Sequence, residues 1–183
     1  MAASSTPSKG LWPRLCRLAK HRWAEGGLHR AFPADLLERL TRRVAASERR
    51  HTGQIRMCVE GGLPLSYLWR GAGVRERAVV QFGKLRVWDT ELNNGVLIYL
   101  LLAEHAIEIV ADRGLARAVP ADVWQAMVAR MGQAFHDGRY EDGLSDALAE
   151  VSALLVQHFP ASPADGHRPI NELPDTPVLG RSR

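Results

Sequence analysis

The chain has 183 residues, 46% of them hydrophobic, which is enough for one packed domain with short tails. No run approaches the roughly 20 apolar residues needed to span a bilayer, and the N-terminal Met-Ala-Ala-Ser-Ser-Thr-Pro lacks the apolar core of a secretory signal. The two cysteines, Cys16 and Cys58, match no metal spacing and are expected to be thiols in a reduced, cytoplasmic setting.

The net charge of +4 is unevenly spread. Residues 1–50 hold 11 Lys/Arg against 4 Asp/Glu, whereas residues 87–160 hold 4 against 11. A basic front of this kind can meet an anionic membrane surface, or rest on the acidic half of its own domain. Nucleic acid is disfavoured, because few aromatics are placed for base stacking.

In chain order, residues 1–10 are small and polar. Residues 11–23 read as a short basic amphipathic helix, with Leu11, Leu15, Leu18 and Ala19 on one stripe, ended by Gly26-Gly27. A longer helix is expected from Pro33 to Arg49, with Leu36, Leu37, Leu40 and Val44 on its apolar face. Gln54–Glu60 alternates, Ile55, Met57 and Val59 against Arg56, Cys58 and Glu60, which predicts a half-buried strand with Cys58 packed. Leu63–Gly73 reads as loop or short helix, and Val74–Val87 as helix.

After the loop Trp88–Gly95, the continuous apolar run Val96–Ala103 predicts a central strand covered on both faces. A turn at Glu104-His105 returns the chain through a strand at Ala106–Ala111, followed by a turn at Asp112-Arg113-Gly114. Helices are expected from Pro120 through Phe135 and from Tyr140 to His158, before a Pro-rich tail over 161–183. The order α-β-α-β-β-α-α makes the first two strands parallel and the third antiparallel. That is an α/β fold, a three-layer α/β/α sandwich with a small mixed central sheet. The domain division read from this is a basic extension over 1–28, the sandwich over 29–160, and the tail over 161–183.

This topology gathers three distant segments at one end of the sheet and sends Glu60 to the other. The gathered residues are Glu48 and His51 before the first strand, Asp89, Glu91, Asn93 and Asn94 before the second, and Asp112 and Arg113 after the third. Carboxylate and amide oxygens at this density suit calcium or magnesium, with Asp89, Asn93, Asn94, Asp112 and Glu48 as metal ligands. His51 would admit a softer metal, and Arg113 could instead pair with an aspartate or grip a phosphate. Each residue also has a plain local use: Asn93-Asn94-Gly95 and Asp112-Arg113-Gly114 as turns, Glu48 and His51 as a helix end. No nucleophile elbow, phosphate loop or dinucleotide fingerprint occurs, and no organic cofactor is expected.

The stretch Leu85–Ala103, with Asn94-Gly95-Val96-Leu97 opening the strand, then Ile107–Gly114 with Glu108, resembles the TPM domain family. Phe135-His-Asp-Gly-Arg-Tyr-Glu-Asp-Gly143 is similar to the family's connection between its last helices. The resemblance covers about residues 33–160 and points to the soluble bacterial subgroup. It implies an α/β/α sandwich, calcium binding or acid-phosphatase-like activity in some members, and a LemA-like membrane protein as partner. The reading that follows is a divalent-cation-binding interaction or assembly module, cytoplasmic or peripheral at the inner membrane, touching an anionic surface through residues 11–23. The alternative is a metal-dependent phosphomonoester hydrolase, in which Asp89 and Asp112 hold the ion, Arg113 stabilises charge and His51 shuttles a proton.

Overall fold

A computed structural model describes residues 11–161 and 171–180, with side chains from residue 15 onward. The elements are α1 (Leu11–Ala31), α2 (Ala34–Glu48), β1 (Ile55–Glu60), α3 (Leu65–Arg70), α4 (Val74–Lys84), β2 (Val96–Leu101), β3 (Ala106–Ala111), α5 (Arg113–Ala118), α6 (Ala121–His136), α7 (Tyr140–His158) and β4 (Val178–Gly180). A 3-10 turn over Leu102–Glu104 links β2 to β3, and His105 takes a left-handed φ of 50° to close it.

The sheet order is β3-β2-β1-β4. β1 and β2 are parallel in the register Ile55↔Val96 to Glu60↔Leu101, and β3 is antiparallel to β2. Strand period two then divides the core. Ile55, Met57, Val59, Val96, Ile98 and Leu100 bury one face beneath α1, α2, α5, α6 and α7. Cys58, Leu97, Tyr99 and Leu101 bury the other beneath α3 and α4. The expected mixed α/β sandwich is therefore the observed architecture.

Four differences from the sequence reading have physical causes. First, α1 does not stop at Gly26-Gly27. It continues because Leu28, just past the glycines, and Phe32, just past the helix, are buried at 3% and 1% exposure, and tertiary packing outweighs helix propensity. Position 28 thus lies inside a helix whose end is part of the core. Gly61 and Gly62 allow this docking: a Cβ on either would come within 2.5 Å of the α1 backbone.

Second, β1 is buried on both faces, not half-buried. The alternation holds, but the face carrying Arg56, Cys58 and Glu60 lies under α3, α4 and the tail. Burial pushes the Cys58 thiol up to about 12, so it is a packing group and a poor nucleophile. Third, Asp112-Arg113-Gly114 does not form a free turn but starts α5, with Asp112 as N-cap.

Fourth, part of the tail belongs to the fold. Val178–Gly180 adds β4 parallel to β1, and Leu173 is buried. The Gln54 amide oxygen accepts the Glu172 and Leu173 N–H groups at 2.9 and 3.0 Å. The Arg56 guanidinium donates to the Pro174 carbonyl and, at 2.8 Å, to that of Thr176.

Candidate functional site at the sheet rim

The starts of β1 and β2 and the end of β3 meet on one rim. The Val96 N–H donates to the Gln54 carbonyl at 2.8 Å, Asp112 N–H to Gly95 at 2.8 Å, and Gly114 N–H to Asn93 at 2.8 Å. Asn94 and Asp112 therefore lie on the same rim, and Glu60 lies at the far end of β1. The chain must pass closely here: a Cβ at Gly95 would come within 1.9 Å of the Val87 carbonyl oxygen, and one at Gly114 within 2.6 Å of the Asn93 oxygen. Asn93 itself takes φ 52°, which an asparagine tolerates better than most residues.

Asn94 is fully buried and Asp112 is 5% exposed. The Asn94 amide nitrogen donates to Thr52 Oγ1 at 3.3 Å, and Asn94 N–H donates to Thr90 Oγ1 at 3.2 Å. Asp112 Oδ1 accepts the Arg113 N–H at 2.7 Å. The remaining oxygens, Asn94 Oδ1 and Asp112 Oδ2, are buried without a hydrogen-bond partner. On the same rim Arg113 donates from Nη2 to Asn93 Oδ1 at 2.7 Å. Arg113, Arg117, Leu92, Asn93 and Gly114 line a shallow depression of about 420 Å³.

The other expected site residues are placed differently. Asp89 is exposed and pairs with Arg86 at 2.7 Å, while Arg86 lies over the half-exposed Trp88 ring. Glu91 is exposed, and its N–H donates to Glu172 in the tail at 3.0 Å. Glu48 is buried on the tail side, where Oε1 accepts the Ile55 N–H at 2.7 Å. Burial raises its carboxyl to about 8, with further upward pressure from Asp175.

His51 is fully buried. Its Nδ1 faces the Gly53 carbonyl at 3.0 Å, so it carries the proton and donates, leaving Nε2 to accept from Ser47 Oγ at 3.1 Å. Burial lowers the imidazole to about 4. Both nitrogens are in use, and Ser47 is buried as well. Among the described residues, no three His, Cys, Asp or Glu side chains gather to hold a metal. Thr52 and Thr90, which position Asn94, carry no signal in the sequence beyond their place in polar loops.

The residues and order of elements define an α/β sandwich whose loops converge on a sheet rim. The family model described as TPM domain matches residues 30–154, and the chain belongs to that family. Among solved structures it is similar to the BA42 protein of the psychrophilic bacterium Bizionia argentinensis, at 28% identity and a TM-score of 0.67, over 80% of this chain and 94% of that one. The N-terminal domain of a protein from P. gingivalis shares the fold, at 18% identity and a TM-score of 0.56, over 72% of this chain and 82% of that one. Comparison with curated proteins finds no match. Among the described residues, no helix is long and apolar enough to cross a membrane.

Proposed function

We propose that this TPM domain is an interaction module whose rim takes a hard divalent cation, calcium or magnesium, together with an anionic group of a partner. The observation that carries this reading is the pair of buried acceptors, Asn94 Oδ1 and Asp112 Oδ2, that no donor satisfies. Leaving a buried acceptor unpaired costs about 1–3 kcal/mol, more for a charged group. An oxygen-seeking cation removes that cost, and neutral amide and carboxylate oxygens are its preferred ligands. Two such oxygens fall short of the six to eight that calcium takes, so most of the shell would come from water and from a partner.

Arg113 and Arg117 line the neighbouring depression, and their charge opposes a bare cation nearby. They favour one that arrives against a carboxylate or phosphate, which the guanidinium fork can grip. A cation with arginines close by would suit the rim to assembly with an acidic partner.

The test is titration of the protein with calcium or magnesium, with and without inorganic phosphate, read by calorimetry and thermal unfolding. Asp112→Asn keeps a good N-cap but removes the charge. The expected result is saturable binding by the native chain, strengthened by phosphate, and at least tenfold weaker binding by Asp112→Asn, whose metal-free thermal midpoint is no lower than that of the native chain. No binding to the native chain under either condition, or equal binding by the variant, removes the proposal.

A further inference from the structure

Away from the rim, a cleft of about 610 Å³ lies between α1 and the wall formed by Leu102, Ala103, His105 and Tyr140. Its lining is mainly apolar: Ala24, Ala31, Leu102 and Ala103 contribute only hydrocarbon, and Gly26 and Gly27 contribute bare backbone. The wall is rigid. The His105 ring stacks on Tyr140 with centroids 6.5 Å apart, and its Nδ1 donates to the Phe135 carbonyl at 3.0 Å. Trp23 stands at the lip, 85% exposed.

The rim of this cleft is cationic. Lys20 and Arg30 line it, both are exposed, and neither has an ion-pair partner among the described residues. Arg22 also lines it but is paired with Glu25 at 3.0 Å. Lys20 and Arg30 are ten residues apart on one helix, about 15 Å at the α-helical rise. They bracket the apolar floor from its two ends. α1 is held in place for this by a partly buried latch: His21 accepts the Leu63 N–H on Nδ1 at 2.9 Å and faces Glu104 Oε1 from Nε2 at 3.1 Å, and Arg17 adds a 2.7 Å ion pair to the same oxygen. The cleft is therefore preformed, with no hinge needed to open it.

We propose that this cleft binds a single-chain amphipathic anion, a monomeric fatty-acid carboxylate or alkyl phosphate. The chain lies on the floor of α1 against Leu102 and Tyr140, and the head group pairs with Lys20 or Arg30. Size and an apolar lining are the usual marks of a small-molecule site, and a cation at either end can hold one head group. Charge complementarity selects an anion. The site is independent of the cation rim, and its fate does not depend on that reading.

The experiment is calorimetric titration of the full chain with decyl phosphate below its micelle concentration. Decanol and inorganic phosphate are the controls, and phosphatidylglycerol vesicles are a separate arm. Gly27→Phe fills the floor, because nothing lies within 4 Å of a Cβ at that position. Lys20→Glu with Arg30→Glu removes the head-group cations without touching buried groups. Micromolar binding of decyl phosphate is expected, with at least tenfold loss in each variant and no measurable binding of inorganic phosphate. If Gly27→Phe proves misfolded by circular dichroism, the exposed charge-reversal pair decides alone. Absence of saturable binding, undiminished binding in the charge-reversed chain, or binding to vesicles with none to the monomer overturns the proposal.

Discussion

Replacing Arg77 with methionine should cost about 3–5 kcal/mol of unfolding free energy, the range for stripping one partner from a buried ion pair. Glu60 is fully buried and Arg77 is 4% exposed. The guanidinium meets the carboxylate with two bonds, Nη2 to Oε1 at 2.6 Å and Nε to Oε2 at 2.7 Å. Gln81 donates to Oε1 at 2.8 Å and the Tyr99 hydroxyl to Oε2 at 2.7 Å. Four donors on one carboxylate satisfy it fully. Removing the arginine leaves a charge sealed between β1, β2 and α4 with two neutral donors. Burial and the Glu60 charge together push the Tyr99 phenol well above its ordinary range, so it stays a donor.

The measurement is the urea midpoint of Arg77→Met at constant m-value. A loss under about 1 kcal/mol would show that the carboxylate finds water or a proton at little cost. The double variant Glu60→Gln with Arg77→Met removes both charges and should be less destabilised than the arginine variant alone, because the orphaned charge, and not the lost attraction, dominates the penalty. β4 depends on the same network. A Cβ at Gly180 would come within 2.7 Å of Glu60 Cγ, so the edge strand seats on this side chain through a glycine.

This network lies beyond what the sequence makes legible. Glu60 falls on the polar face of an alternating strand, and alternation alone assigns such a residue to solvent. Its partners lie 17, 21 and 39 residues away, and no local pattern announces them. The apolar face of β1 and the continuous run of β2 are legible because burial follows strand period directly. The rim is legible for a topological reason: parallel β1 and β2 with antiparallel β3 bring Asn93, Asn94, Asp112 and Arg113 together whatever their side chains do. Topology places backbone, however, and not rotamers. Asp89 turns to Arg86 and Glu48 turns under the tail, so two of the five expected ligands sit in other local environments. α1 and β4 depart from the local pattern for a shared cause. Gly26-Gly27 and the prolines of the tail are true local breakers, overridden by burial of Leu28, Phe32 and Leu173.

Glu48 gives the second large effect, a stability that falls as pH rises through neutrality. Its folded carboxyl is raised from 4.5 to about 8, by burial first and then by Asp175. Between those values the folded chain holds a proton that the unfolded chain has released. The unfolded state thus binds fewer protons, and stability declines with pH across the window, levelling off above about 8. His51 acts in the opposite sense. Burial lowers it from 6.5 to about 4, so the unfolded state binds more protons between those limits and stability rises there. The two contributions oppose each other from about 4.5 to 6.5, and from about 6.5 to 8 Glu48 acts without opposition from His51. One proton held across one pH unit is worth about 1.4 kcal/mol, so a fall of about 2 kcal/mol is expected across that interval. Glu48→Gln is the informative variant, because an amide reproduces the protonated carboxyl: its oxygen accepts the Ile55 N–H and its nitrogen donates toward Asp175. Urea midpoints measured from pH 6.5 to 8 should slope downward for the native chain and lie flat for Glu48→Gln, which becomes the more stable of the two toward pH 8. Parallel profiles would mean that Glu48 ionises in the folded chain at an ordinary pH. The tail would then be held by Gln54, Arg56 and β4 without a protonated carboxyl beneath it.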